Sequence, residues 1–251
     1  MNTQTAIITG GATGIGFAIA DAFLNTDFNV VLIGRTSLKL EKAVQQLNQP
    51  KRIHFIVSDI TQPEVAPDLI NETVAKFGRV DVLVNNAGIF SVKPFTDYKI
   101  DELDQFLGYV RGTFALTQET VKQMRQQKEG GAIINIGTIL AMNGIKAFPS
   151  SAPIMAKAAI MAMSKNLSVE LASDNIRINV VAPGVVPTSL YGELDEKTLN
   201  YLEQQQPLGR FGLPKDIADA VLYLSLAKWV TGVILPVDGG VDAGGDGTSS
   251  R

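Results

Sequence analysis

TGGATGIG, spanning Thr9 to Gly16, directly follows the short apolar run Ala6–Thr9 and opens a helical pattern. Glycines in such a turn let the backbone approach a pyrophosphate, and the helix N-terminus adds amide donors and a favourable dipole. Glycine-rich turns also occur in ordinary loops, but the position between a strand and a helix favours phosphate binding. The stretch therefore predicts an α/β fold that begins with a dinucleotide site built from Gly10, Thr13, Gly14, Ile15 and Gly16.

The rest of the chain continues this alternation of strand and helix. β-rich runs occur at Ala6–Thr9, Val30–Ile33, Ile53–Val57, Val82–Val84, Ala132–Ile136, Ile178–Val181 and Val233–Val237. Helical patterns separate them, and the two longest, Glu102–Gln127 and Ser151–Ser173, form a pair that often builds a subunit interface in this fold class. Such alternation is typical of a doubly wound parallel sheet. We therefore predict a single-domain Rossmann fold with a parallel seven-stranded sheet flanked by helices.

No internal repeat or second-domain boundary interrupts the pattern, so residues 1–241 are predicted to form one dinucleotide-binding domain. The polar stretch Leu190–Gln206 follows a Pro-Gly turn, which predicts a substrate lid over about residues 188–210. Residues 242–251 are rich in Gly, Ser and Asp and are predicted to form a flexible tail.

Composition excludes several classes of function. The formal net charge of −3 gives no basic field for a phosphodiester backbone, so we expect no nucleic-acid partner. The absence of cysteine excludes disulfides, thiolate metal sites and a cysteine nucleophile, and we expect no metal. The single histidine, His54, lies in a strand-like apolar run, which argues against Ser-His-Asp chemistry. No apolar run reaches the length of a spanning helix, so we expect a cytoplasmic protein without a membrane partner. We also expect a small-molecule substrate.

The end of the second strand indicates the choice of cofactor. An acidic residue there would bind the ribose diol of NAD, but the sequence reads Gly34-Arg35-Thr36-Ser37. Arg35 can pair with a ribose 2′-phosphate, with Thr36 and Ser37 supplying hydroxyl groups. We therefore predict that NADP(H) is favoured over NAD(H).

Further motifs follow in a fixed order along the chain: Asp59-Ile60 after the third strand, Asn85-Asn86-Ala87-Gly88 after the fourth, and the Pro-Gly segment from Pro183 to Thr188 after the sixth. Together with the glycine loop they resemble the short-chain dehydrogenase/reductase family over nearly the whole chain. The resemblance implies the strand order 3-2-1-4-5-6-7 and a homodimer or homotetramer. It also implies that the cofactor contacts Asp59, Ile60, Asn86, Ala87, Gly88, Lys157, Pro183, Gly184, Val186 and Thr188.

That family uses an Asn-Ser-Tyr-Lys tetrad, and this sequence resembles it at only one of the four positions. Lys157 matches the lysine, which holds the nicotinamide ribose and lowers the pKa of the tyrosine. Tyr109 stands at the asparagine and Thr138 at the serine, where a hydroxyl is kept. Pro153 replaces the tyrosine, and proline has no group that can donate or accept a proton. In the first turn of a helix a proline is tolerated, so the fold should survive the change.

Three groups remain as proton donors for such a site. Tyr109 is a candidate from the neighbouring helix, Tyr191 from the lid, and Lys157 by direct transfer. Enoyl reductases of the same superfamily place their tyrosine seven residues before the lysine, but Ser150 stands there.

Two principal hypotheses follow. We favour an NADP(H)-dependent oxidoreductase with catalytic residues Thr138, Lys157 and Tyr109 that reduces a C=C, C=N or carbonyl bond. The alternative is a non-catalytic NADP-binding relative that serves as a regulatory or partner subunit, including in a hetero-oligomer with an active homologue. A non-redox isomerisation or dehydration with a structural cofactor is a third hypothesis.

Overall fold

The computed structural model describes residues 3–144, 149–188, 203–204 and 206–244. Its centre is a parallel sheet of seven strands in the order β3-β2-β1-β4-β5-β6-β7, as the resemblance implies. The strands are β1 (Thr5–Thr9), β2 (Asn29–Gly34), β3 (Ile53–Val57), β4 (Val82–Asn85), β5 (Gly131–Ile136), β6 (Ile176–Pro183) and β7 (Ile234–Val237). The predicted single-domain doubly wound fold is therefore confirmed.

Helices connect successive strands and cover both faces of the sheet. Their bounds are α1 (Gly14–Leu24), α2 (Ser37–Leu47), α3 (Ala66–Phe77), α4 (Ile100–Gln127), α5 (Ser151–Glu170) and α6 (Pro214–Leu226). Successive strand residues point to opposite faces: Ala6 and Ile8 belong to one buried core and Ile7 to the other. Helices α1, α2 and α6 pack on the first core, whereas α3 and α4 pack on the second.

The two long helices differ slightly from their predicted bounds. Helix α4 begins at Ile100, because the Glu102 carboxylate accepts a hydrogen bond of 2.9 Å from the Lys99 amide and so stabilises an earlier start. Helix α5 ends at Glu170, and a short 3-10 turn leads to Asn175, which adopts a left-handed φ of 56°. That left-handed residue redirects the chain into β6.

A buried polar network ties the carboxyl ends of β4 and β5 to the helices above them. The Asn85 amide donates to Asn135 Oδ1 at 2.8 Å and to Thr117 Oγ1 at 3.1 Å. The Asn135 amide in turn donates to Ser164 Oγ of α5 at 2.8 Å. Because each of these buried groups would be costly to leave unpaired, the network fixes α4 and α5 against this edge of the sheet.

Two predicted segments fall largely outside the described residues. Most of the predicted lid, residues 189–202 and 205, lies outside them, as do Tyr191 and residues 245–251 of the predicted tail. Among the helices that the structure does describe, none combines the length and apolarity needed to cross a membrane.

Candidate cofactor and catalytic site

The glycine loop between β1 and α1 adopts a conformation that side chains would prevent. Gly10 and Gly14 have φ values of +65° and +54°, a region that glycine occupies without strain. A Cβ on Gly16 would lie 2.2 Å from the Gly10 carbonyl oxygen, so only glycine lets the helix begin this close to the loop. The open space above these glycines and the free amides of the α1 N-terminus fit a cofactor diphosphate.

The segment after β4 holds this loop in place. The Asn86 side-chain amide donates to the carbonyl oxygens of Thr9 and Gly10 at 2.9 Å and 3.2 Å. The backbone amides of Asn86 and Ala87 both donate to Thr9 Oγ1 at 3.0 Å. These bonds connect the carboxyl ends of β1 and β4, at the point where the strand order reverses and ligands bind in open α/β sheets.

A cleft of about 400 Å³ runs along this edge of the sheet. Most of the predicted cofactor residues line it: Gly10, Thr13, Gly14, Ile15, Gly16, Arg35, Asp59, Ile60, Asn86, Ala87, Gly88 and Thr188, together with Tyr109. Lys39, Ser58 and Ile89 also line it, although sequence reasoning did not identify them. The cleft joins the glycine loop to the ends of β2, β3 and β4, as a dinucleotide requires.

Other predicted site residues do not contribute to the cleft wall. Thr36 is exposed at the start of α2, and the Ser37 hydroxyl beside it donates to Glu41 at 2.6 Å. Val186 is only 2% exposed and packs in the first core. Pro183 ends β6, and a Cβ on Gly184 would lie 2.7 Å from Asp238 Cα, so this turn is held close to the end of β7.

Two cations stand at the β2 end of the cleft. Arg35 follows β2, and Lys39 lies one helical turn later in α2, with both residues exposed. Within the described ranges neither Arg35 nor Lys39 forms a salt bridge. Their charges therefore remain available to an anionic ligand group. Lys39 could have been found as a second cation one turn after Arg35, a spacing that places both at the same helix start.

The wall at the end of β3 is set by Asp59, Ile60 and a glycine of α4. The Asp59 carboxylate accepts hydrogen bonds from the Thr61 amide at 3.0 Å and the Thr61 hydroxyl at 2.8 Å. A Cβ on Gly112 would lie 1.6 Å from the Ile60 carbonyl oxygen, so α4 approaches this segment more closely than any other residue would permit. Gly112 thus determines how near Ile60 lies to α4.

Tyr109 reaches the same part of the cleft from α4. Its half-buried ring packs on the second core. Burial raises the pKa of the Tyr109 phenol, the positive charge of Arg35 opposes that shift, and the negative charge of Asp59 adds to it. The phenol is therefore protonated at neutral pH, in the vicinity of Arg35 and Asp59.

Lys157 and Thr138 lie at the carboxyl end of β5. The Lys157 ammonium donates to the Ile136 carbonyl oxygen at 2.7 Å, and its burial lowers the pKa of Lys157 to about 8. A Cβ on Gly88 would lie 3.4 Å from Lys157 Nζ, which places the ammonium beside Gly88, although Lys157 itself is not among the residues that line the cleft. The Thr138 hydroxyl accepts a hydrogen bond of 3.2 Å from the Leu140 amide, and a hydroxyl that accepts in this way can still donate its own proton to another group.

Pro153 occupies the third residue of α5, one turn before Lys157, and is buried. Its missing N–H is among those that the first turn of a helix leaves unbonded, and α5 accordingly runs unbroken from Ser151 to Glu170. Ser150, directly before α5, is 2% exposed, and its hydroxyl has no hydrogen-bond partner among the described residues. Within those residues, no cluster of His, Asp or Glu could hold a metal ion.

Comparison with known proteins agrees with this geometry. Residues 10–242 match the family model described as enoyl-(acyl carrier protein) reductase. The chain is 35% identical over 248 residues to a 3α-hydroxysteroid dehydrogenase of Mediterraneibacter gnavus, covering 95% of this chain and 97% of that protein. It is 33% identical over 242 residues to a 3-oxoacyl-[acyl-carrier-protein] reductase of Chlamydia trachomatis, with the same coverage of both chains.

A solved structure gives the same result for the fold. A short-chain type dehydrogenase/reductase from Mycobacterium marinum superposes with a TM-score of 0.88 at 30% identity, covering 96% of each chain. The relatives therefore match the chain over almost its entire length, including the glycine loop, the cleft and the segment that carries Lys157. The chain belongs to the short-chain dehydrogenase/reductase family.

Proposed function

We propose that this protein is an NADP(H)-dependent oxidoreductase that acts on a small organic substrate with an atypical active centre. The observation that carries the cofactor choice is the pair of cations at the end of β2. Arg35 and Lys39 line the cleft and form no salt bridge within the described ranges. A ribose 2′-phosphate would give both cations an anionic partner, whereas a ribose diol would not.

When bound, NADP(H) supplies the hydride for the reaction. The residues of the chain then bind and orient. The amides of the glycine loop would hold the diphosphate, Asp59 and Ile60 would border the adenine, and Thr188, next to Gly14, would contact the nicotinamide end. Lys157, beside Gly88, would donate to the nicotinamide ribose.

The altered centre favours substrates that need little help from a tyrosine. Pro153 cannot protonate an oxyanion, so carbonyl reduction would depend on the Thr138 hydroxyl, the Lys157 ammonium or Tyr109. In the reduction of a polarised C=C or C=N bond, charge develops away from the carbon that accepts the hydride or is already neutralised. We therefore propose that C=C or C=N substrates are reduced more readily than isolated carbonyls.

The cofactor proposal is tested by fluorescence titration of NADPH and NADH with Arg35→Ala and Lys39→Ala. Each variant should raise the Kd for NADPH by about tenfold, or roughly 1.4 kcal/mol, and leave the Kd for NADH within about twofold. Lys42→Ala is the matched control, because Lys42 is an exposed cation of the same helix outside the cleft. Equal effects on both cofactors would contradict the proposed preference.

The reaction is tested by measuring NADPH oxidation with sets of carbonyl, enone and imine substrates, each substrate assayed separately. We expect the protein to turn over enones or imines faster than carbonyls. Tight NADPH binding without turnover on any panel would instead favour the second function.

That second function is a non-catalytic NADP-binding subunit, and the buried Pro153 is the observation that favours it. Its test is the double variant Pro153→Tyr with Thr138→Ser, which returns a phenol one turn before Lys157. If the substrate pocket is retained, NADPH-dependent carbonyl reduction should appear. If the chain serves as a partner subunit, no turnover should appear.

We also propose that the protein is cytoplasmic and forms a homodimer or homotetramer. If it is instead a partner subunit, we expect it to form a hetero-oligomer with an active homologue. Analytical ultracentrifugation of the purified chain gives the homo-oligomeric state. Affinity purification from the native host distinguishes it from a mixed assembly.

A further inference from the structure

We infer that Tyr109 is a binding residue for the adenosine half of the cofactor, and that it forms one wall of the adenine pocket. The inference rests on the proposed function, since it requires that the cleft binds a nicotinamide dinucleotide. It assigns to Tyr109 a role in binding instead of proton transfer.

The first support is the position of the Tyr109 side chain. Tyr109 lies in the middle of α4, and its side chain lines the cleft together with Ser58, Asp59 and Ile60. These three residues follow β3, at the end of the cleft farthest along the sheet from β5. Tyr109 also packs on the second core and is only partly buried, so it contacts the core and borders the cleft at the same time.

The second support is the set of charges around the phenol. Arg35 and Asp59 are the charged residues that act on Tyr109, and they flank the β2 and β3 ends of the cleft. Tyr109 therefore lies in the field of Arg35 and Asp59, at the β2 and β3 end of the cleft.

The third support is the chemistry of the wall. An aromatic ring beside the aliphatic Ile60 offers a flat apolar surface, and planar bases pack favourably on such surfaces. The close approach of Gly112 to the Ile60 carbonyl holds α4, the helix that carries Tyr109, against the segment that follows β3, so the two backbones that carry Tyr109 and Ile60 are in fixed contact before any ligand arrives. A site held in this way binds a base at a lower cost of ordering.

The experiment uses the nucleotide fragments 2′,5′-ADP and 5′-AMP, which carry the adenosine half and lack nicotinamide. Calorimetric titration of the full chain should show that Tyr109→Ala raises the Kd for both fragments by about tenfold. Tyr109→Phe keeps the ring and should retain affinity within about threefold. Tyr223→Ala, an exposed tyrosine of α6 outside the cleft, is the control and should bind as the wild type does.

Tyr109→Leu guards against loss of the fold, because leucine keeps an apolar side chain against the core while it removes the ring. It should show the same loss of affinity with a melting temperature close to that of the wild type. If the wild type binds the fragments and both Tyr109→Ala and Tyr109→Leu bind them with the same affinity, the inference is overturned while the proposed function stands. If the wild type binds neither of the fragments and does not bind NADPH, the proposed function is overturned and the inference with it.

Discussion

Replacement of Gly112 by alanine tests the contact between α4 and Ile60, a residue of the proposed adenine site. The added Cβ would lie 1.6 Å from the Ile60 carbonyl oxygen and 2.7 Å from the Ile60 carbonyl carbon, and both are backbone atoms. Ordinary contact begins at about 3.4 Å, so either α4 or the segment after β3 must retreat by well over an ångström. Gly108→Ala is a closely matched control, because it lies one turn earlier in α4 and its Cβ would meet only the Thr61 side chain at 3.4 Å.

The size of the effect follows from two opposing contributions. Glycine-to-alanine exchange inside a helix favours folding by about 1 kcal/mol, and this gain is common to both variants. Overpacking against fixed neighbours costs about 1–3 kcal/mol, and this cost should fall on Gly112→Ala alone. The two variants should therefore differ in their free energy of unfolding by about 1–3 kcal/mol, or in melting temperature by roughly 2–12 °C.

Stability is measured by urea denaturation and thermal melting, and binding by titration with 5′-AMP. Gly112→Ala should be the less stable variant and should also bind 5′-AMP more weakly, because Ile60 lines the cleft. Gly108→Ala should be at least as stable as the wild type and keep its affinity for 5′-AMP. Equal stability and equal affinity in the two variants would refute the claim that α4 and the Ile60 backbone are in fixed contact.

Three further predictions concern other contacts. Lys157 releases its proton at a pH of about 8 in the folded chain, against 10.5 for an ordinary lysine, so the unfolded state binds more protons between these values. The free energy of unfolding of the wild type should accordingly rise relative to that of Lys157→Met as the pH increases from 8 to 10.5. If urea denaturation gives the same difference between the two proteins at every pH in this range, the lowered pKa of Lys157 is contradicted. Arg177 donates to the Leu224 carbonyl at 2.6 Å and to the Val230 carbonyl at 3.2 Å, and these bonds anchor the end of α6 to β6. In urea denaturation, Arg177→Ala should lower the free energy of unfolding by about 2–3 kcal/mol, and Arg177→Lys should recover part of that loss. Gly16→Ala should weaken NADPH binding by about a hundredfold, because the new Cβ would lie 2.2 Å from the Gly10 carbonyl oxygen. Gly144→Ala, whose Cβ would meet no atom of the described residues within 4 Å, should bind NADPH as the wild type does.

The fold could be predicted from the sequence because it depends on local patterns. Each β-rich run is bounded by glycines, polar residues or helical patterns, and all seven runs are strands in the structure. Errors were confined to element ends, such as the start of α4, where the Glu102 side chain caps a backbone amide. Strand order required the family resemblance, since periodicity alone gives no information on which strands are neighbours.

The site was predictable only in part. The glycine loop could be identified because backbone geometry demands glycines there, whereas the Asn85–Gly88 segment was identified through its resemblance to the family motif. Lys39 was missed although it lies only four residues after Arg35, a spacing from which it could have been identified. Gly112 was missed because its importance arises from contacts across the fold, where α4 approaches Ile60. Such contacts join residues far apart in sequence, and a single sequence carries no record of them.

The proposed binding role of Tyr109 limits which groups of the chain can donate a proton to the substrate. If its phenol serves the adenosine end with Arg35, the donors left near the end of β5 in the described part of the chain are the Thr138 hydroxyl and the Lys157 ammonium. A threonine hydroxyl polarises a substrate but needs a proton in return, whereas an ammonium with a pKa of about 8 can release one near neutral pH. Proton transfer without a tyrosine would then depend on Lys157, and its rate should fall as the pH rises above 8.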